Sequence, residues 1–271
     1  MRNIMITFDL EEFVTPAEIG MDINKEILFK LSLEGLTNII NLLKKHPKIK
    51  ATFFTTWEFA QRAQEFLSSL ISDGHELALH GLTHNINLSQ MNLNDIKNEL
   101  LTAKNNLERK FNVKINGFRS PQMKDIDPSV FKEIGITYNS SLHPTYIPGR
   151  SNNFFKRRNP YYDLVYNIPV SVTPLLRLPF SWIWFRNMGL FYSKICTKLS
   201  CIDQDFINIY FHPWDFVNIN KEPFKGNVMG LILRNTGDSM ISQFDKYLTW
   251  CENNFNSVTM SEYTIIKNGS K

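Results

Sequence analysis

Cysteine is scarce and odd in number: Cys196, Cys201 and Cys251 are the whole supply. Three thiols build no disulfide framework, and Cys-x4-Cys is not a usual zinc spacing. Their scatter fits a reducing compartment. No stretch of about 20 apolar residues is present to cross a bilayer. Met1 and Arg2 lead at once into a strand-like run rather than a cleavable apolar leader, so a cytoplasmic location is expected. The net charge is only +4, from 30 Lys and Arg against 26 Asp and Glu. Such a balance offers no concentrated basic face for nucleic acid, which is not expected as a partner. What is abundant is aromatic: 13% of residues, 21 of them Phe, enough for a well-filled core or an aromatic-lined groove. Hydrophobic residues at 43% and charged residues at 21% are ordinary for a globular protein. No linker or repeat divides the chain, so residues 1–271 are expected to form one catalytic domain.

The patterning alternates strands with helices. Ile4, Ile6, Phe8 and Leu10 alternate with Met5, Thr7, Asp9 and Glu11, so one strand face is apolar and the other ends in two carboxylates. Helical spacing follows from Ile27 to Leu43 and stops at His46-Pro47. Short strands are predicted over 49–54, 76–80, 117–119, 136–142, 165–172 and 206–211, with a last one around Val258. A further helical pattern ends near Gly74, and helices are predicted over 96–111, 131–135 and 239–251. The stretch 143–163 reads as a long surface loop. This alternation predicts a parallel α/β architecture, either a barrel or an open sheet.

Four groups carry chemistry. Asp9 and Glu11 share a strand face, and Glu12 falls on the opposite one; one carboxylate can bind a cation while the other takes a proton. His80 and His84, four apart, can chelate one metal but need a third ligand. Arg119, followed by Ser120-Pro121, can hold a carboxylate. His212 closes the run Ile209-Tyr210-Phe211 and suits proton donation to a leaving group. Singly, each has a bland alternative, such as a charged strand terminus, loop histidines, a surface ion pair or a core histidine. Jointly, all four fall at the C-terminal ends of predicted strands, where parallel α/β folds keep their active sites. His46 is expected to be exposed, and His75 and His143 are candidates to line the same mouth.

The ordered set Thr7-Phe8-Asp9, His80-x3-His84, Arg119-Ser120-Pro121 and Tyr210-Phe211-His212 resembles the polysaccharide deacetylases, carbohydrate esterase family 4 and its relatives. Ala51-Thr52-Phe53-Phe54 and Tyr138-Asn139-Ser140-Ser141 add to the resemblance, which covers roughly residues 4–216. The second Asp of the family signature is Leu10 here, which displaces the expected ligand to Glu11 in an Asp-x-Glu variant. The Ser or Thr after the first His is Gly81. The resemblance implies a distorted (β/α)7 barrel. It also implies a hydrolase that removes an N-acyl group, acetyl first, from an amino sugar of a surface glycan or its lipid- or nucleotide-linked precursor. One divalent metal, zinc first, would be held by Glu11, His80 and His84. Asp9 would be the base, paired with Arg119, and His212 the acid. The alternatives are a metal-independent allantoinase-like cyclic amide hydrolase and an inactive glycan-binding relative.

The run from Phe180 to Tyr192 is dense in aromatics. The preferred reading is core or groove wall. The other is peripheral contact with the cytoplasmic membrane face, with Trp182, Trp184 and Phe185 at headgroup depth and Arg177, Arg186 and Lys194 on lipid phosphates.

Overall fold

The computed structural model describes residues 1–84, 91–148, 151–219, 224 and 227–269. The fold is organised around β1 (Arg2–Leu10), whose seven residues from Ile4 to Leu10 are all buried. A short α1 (Thr15–Glu18) precedes α2 (Lys25–Lys45), β2 (Ala51–Thr55), α3 (Trp57–Arg62), α4 (Gln64–Ser72) and β3 (Glu76–Leu79). Then come α5 (Leu93–Phe111), β4 (Gly117–Phe118), α6 (Pro128–Glu133) and β5 (Tyr138–Asn139). The predicted loop holds β6 (Tyr146–Ile147) and β7 (Ser151–Asn152), paired antiparallel, and β8 (Tyr161–Asp163); its residues 149 and 150 lie outside the described set. The chain continues through β9 (Val165–Asn167), α7 (Trp182–Ser200), β10 (Phe206–Phe211), α8 (Asn227–Ile232), α9 (Asp238–Asn254), β11 (Phe255–Ser257) and α10 (Met260–Gly269).

Seven strands, in the order β10-β1-β2-β3-β4-β5-β9, pair in parallel. β8 adds antiparallel to β9, and β11 joins the N-terminal end of β1. The sheet curls, and the seam between β9 and β10 is closed without a ladder. Past β9 the backbone N of Ser171 donates to Asn208 O at 2.8 Å, and Asn208 Nδ2 reaches the carbonyls of Ile168 and Pro169. Pro169 has no N–H to give a ladder, which is why the strand predicted over 165–172 stops at Asn167. The result is a single-domain, distorted (β/α)7-type barrel, as the resemblance implied.

The alternation in β1 sorts as predicted. Ile4, Ile6, Phe8 and Leu10 pack in the layer between sheet and helices with Leu36, Ile39, Phe53 and Phe244. Met5, on the other face, joins Phe54, Ala78, Tyr138 and Met260 inside the barrel. Local chemistry sets the helix ends. Asn24 caps α2 through Glu26 N, Asn92 caps α5 through Asp95 N, and Asn112 ends α5 in a left-handed conformation. Four helices went unpredicted, the short α1 and α8 among them. α7 hid in the aromatic run, where a break at Gly189 interrupts the helical spacing; α10 follows the last strand. Contrary to expectation, His46 is buried at the end of α2, with Nε2 3.0 Å from Asp245 and Nδ1 3.1 Å from Glu252.

Candidate active site

The parallel register puts the chemistry at one end. Phe8 pairs with Phe211, so Asp9 and His212 follow side by side on neighbouring strands. Thr55 pairs with Leu79 and Leu79 with Phe118, so His80 and Arg119 continue the same rim. Gly81 sits between the histidines at φ 108°, a left-handed region that favours glycine. That turn brings His84 back to the rim, and Glu99 Oε1 fastens it by accepting from Leu82 N at 2.7 Å.

Arg119 is fully buried and spends its donors locally. Nη1 donates to Asp9 Oδ1 at 2.7 Å and to Thr7 Oγ1 at 2.8 Å; Nη2 reaches Ser140 Oγ at 3.0 Å and Nε the Ser140 carbonyl at 3.2 Å. Its guanidinium lies 4.2 Å over the Phe54 ring. Asp9 is thereby held in one orientation by an ion pair inside the barrel.

Glu11 Oε2 lies 3.1 Å from His80 Nε2 and 3.2 Å from His84 Nε2, and all three side chains are buried. His80 Nδ1 donates to the Arg119 carbonyl at 2.7 Å, since a carbonyl can only accept. Burial lowers the His80 pKa, so the ring is neutral and its Nε2 carries a lone pair. A lone pair thus faces a carboxylate oxygen, and Glu11 Oε2 has no hydrogen-bond partner. Burial pushes the Glu11 carboxyl up to about 8, against the pull of His84, and the charges of Asp9, Glu18 and Glu12 push it further. Glu12 turns to the other side of the strand end, near Glu58, Arg62 and Lys25.

His212 stands a step away. Its ring stacks on Trp214 with centroids 4.3 Å apart and meets the edge of Trp182 at 4.9 Å. Tyr210 links the two halves, its ring 5.7 Å from His212 and 5.6 Å from the Arg119 guanidinium. His143 packs edge-on against Tyr210 and Trp184, so it lines this wall. His75 does not reach the mouth; it precedes β3 at the opposite end, where its Nδ1 accepts from Ala51 N. Behind His212, Asp215 Oδ2 accepts from His212 N at 2.9 Å, while Oδ1 lies 2.9 Å from Arg186 Nε in a pair with no exposure on either side.

The sequence matches the polysaccharide deacetylase family over residues 2–138. The chain belongs to the polysaccharide deacetylase family. That makes it a hydrolase of amide bonds, of the deacetylase type. No curated protein sequence matches it. Among solved structures, it is similar to a probable polysaccharide deacetylase from Pseudomonas aeruginosa PAO1 (TM-score 0.66, 13% identity, 97% of this chain and 89% of that one). It is similar to Puue allantoinase at TM-score 0.67 and 13% identity, over 97% of this chain and 88% of that one. A CE4 family pseudoenzyme from Bacillus anthracis aligns at TM-score 0.56 and 14% identity, over 97% of this chain and 65% of that one. At these identities the likeness is one of fold.

Deacetylases of this family generally use a divalent metal, and the donor set can be tested for one. As the side chains stand, no group of three or more His, Cys, Asp or Glu among the described residues is placed so that it could hold a metal ion. The three donors meet through one oxygen rather than around a common centre. Their chemistry nonetheless fits. Two imidazoles and a carboxylate suit a catalytic site. Ligand bonds of about 2.0–2.1 Å at tetrahedral to right angles separate neighbouring ligands by roughly 3.0–3.4 Å, and the two spacings on Glu11 are 3.1 and 3.2 Å. The unpartnered Oε2 facing a lone pair is what a cation would relieve.

The aromatic run divides. Phe185 and Arg186 are buried, which corrects their assignment to lipid headgroups: Phe185 fills the core between Phe211 and Tyr247, and Arg186 pairs with Asp215. Trp182 and Trp184 are half-buried in the groove wall beside His212 and His143. Sequence reasoning did not single out Glu18 or Asp215, named Thr7 and Ser140 only within motifs and gave them no role, and placed Arg186 at lipid phosphates rather than in the core. Thr7 was within reach, since it shares the face of Asp9. Nothing in the spacing of Arg186 and Asp215 announces a pair.

Proposed function

We propose that the protein is a metal-dependent deacylase that removes an acetyl group from an amino sugar of a surface glycan or of its lipid- or nucleotide-linked precursor. Glu11, His80 and His84 hold the divalent ion, zinc first. The observation that carries the reading is the unpartnered Glu11 Oε2 between two imidazole nitrogens, one of them fixed as a lone-pair donor by the Arg119 carbonyl. When bound, the ion supplies Lewis acidity at the amide carbonyl and a lowered pKa for the attacking water. Asp9, with Oδ1 committed to Arg119, has its second oxygen to accept the water proton. The His212 imidazole, clamped between Trp182 and Trp214, delivers a proton to the departing amine, a poor leaving group without it. The half-buried rings of Trp182 and Trp184 offer faces for a pyranose to stack on. The whole chain from 1 to 271 acts as one catalytic domain.

Three buried, unpaired cysteines accord with a cytoplasmic setting. No helix among the described residues is long and apolar enough to cross a membrane. The outer side of the 164–202 stretch supports peripheral membrane contact by other residues than the sequence suggested. Leu175, Leu176, Met188 and Phe191 are exposed there, Arg177, Lys194 and Lys198 are its cations besides the buried Arg186, and it contains no Asp or Glu. A lipid-linked sugar suits such an enzyme.

A second reading has one observation in its favour. With its carboxyl pushed up to about 8, Glu11 can carry a proton rather than face a metal, as a metal-independent cyclic amide hydrolase would allow. Metal analysis of the purified protein, with a screen of acylated sugars, nucleotide sugars and lipid-linked sugars before and after chelation, separates the two. One equivalent of metal and chelator-sensitive acyl release support the proposal. Chelator-insensitive turnover of a cyclic amide by metal-free protein overturns it.

A further inference from the structure

A strap crosses the mouth beside Glu11. After β1 the chain is pinned by Phe13, fully buried against Trp214 and Phe224 with centroids 5.0 and 5.6 Å away. Val14, Thr15 and Pro16 are buried as well. The turn of α1 then presents Glu18, whose Oε1 lies 3.8 Å from His84 Nε2. From the far side of the mouth, Gln122 Nε2 donates to the same Oε1 at 2.6 Å. Gln122 and Met123 both hold positive φ, at 57° and 56°, conformations that cost side-chain-bearing residues energy. That turn follows directly on Arg119-Ser120-Pro121, so the segments after β1 and β4 are tied together over the buried donors.

Charge points the same way. Glu11 and Glu18 approach the imidazoles, while Arg119 is paired with Asp9 and not with either of them. Glu11 Oε2, buried and without a hydrogen-bond partner, is aimed into the same space.

Resting on the metal reading above, we propose that Glu18 is a fourth side chain of the metal site, its carboxylate reaching the ion and held in reach by Gln122. A catalytic ion needs a position that can open to water or substrate. Of the four donors Glu18 is the one able to yield, since its side chain is 26% exposed against 2–5% for the others. Gln122 gives the displaced carboxylate a partner to retain.

The test uses the full chain, stripped of metal by chelation and titrated with cobalt(II), whose visible bands report its coordination. Wild-type protein is expected to bind one equivalent. Glu18→Gln, which keeps the shape and the Gln122 hydrogen bond, is expected to weaken cobalt binding at least about tenfold and to alter the bands. Gln122→Ala is expected to weaken binding by a smaller factor with the bands retained. Thermal melts of the metal-free variants, expected to match wild type, exclude misfolding. Cobalt affinity and bands unchanged in Glu18→Gln overturn the role of Glu18 while leaving the metal site standing. Wild-type protein that takes up no cobalt overturns the metal reading itself and Glu18 with it.

Discussion

The pair behind His212 offers a quantitative test. In Arg186→Met the apolar stem is kept and the guanidinium removed. Arg186 Nε and Asp215 Oδ1 are 2.9 Å apart with no exposure on either side. At that distance, and an effective dielectric of about 20, the attraction is about 6 kcal/mol. Removing one partner of such a pair leaves an uncompensated buried charge and costs about 3–5 kcal/mol. Arg186 Nη1 also donates to the Arg234 carbonyl at 2.7 Å, a bond lost with it. With an unfolding entropy of about 2.1 cal/mol/K per residue over 271 residues, the cost corresponds to a fall of about 5–9 °C in Tm. The effect carries a pH signature. Burial pushes Asp215 up to about 6 from the ordinary 3.8, even with Arg186 pulling it down. A carboxyl raised in the fold favours the protonated native state, so its ionisation takes away stability as pH rises from about 4 to 6. Without Arg186 that window extends upward. The variant should therefore be most destabilised near pH 8 and approach wild type near pH 5. Adding Asp215→Asn removes the orphaned charge while keeping an acceptor for His212 N, and should recover part of the loss. Urea melts at pH 5, 7 and 8 measure all three proteins. A loss below about 1 kcal/mol at pH 8, or one independent of pH, would refute the reasoning.

Three further outcomes are expected. Asp9→Asn should lower kcat at least about 100-fold with metal content unchanged; near-normal turnover removes Asp9 as the base. Gly35→Ala would set a Cβ 1.9 Å from the Pro213 carbonyl oxygen, so α2 and the residue after His212 must part. A stability loss of about 1–3 kcal/mol and reduced activity with metal retained are expected, read by urea melts and kcat. With anionic vesicles the protein should float, and Leu175→Ser with Phe191→Ser should return it to the soluble fraction with Tm unchanged; wild-type protein that never floats ends the membrane reading.

Local pattern carried the architecture. A period of two in β1 placed Ile4, Ile6, Phe8 and Leu10 under the helices and Asp9 with Glu11 on the inner rim, and it separated Glu11 from Glu12, because side-chain direction in a strand is set by covalent geometry alone. The order of strands and helices likewise foretold a parallel α/β architecture, with the family resemblance choosing the barrel over an open sheet, and the strand ends foretold where the polar groups would gather. Partners distant in the chain had no such signature. Arg186 read as a headgroup ligand beside tryptophans, yet it is buried on Asp215; His46 read as exposed beside a proline, yet it bridges Asp245 and Glu252. Glu18 passed unnoticed in a short turn until the chain folded back toward His84 and Gln122. Periodicity reports on forces between neighbours along the chain. Ion pairs, the closing of the β9–β10 seam and the strap over the mouth arise from contacts between segments that only packing brings together.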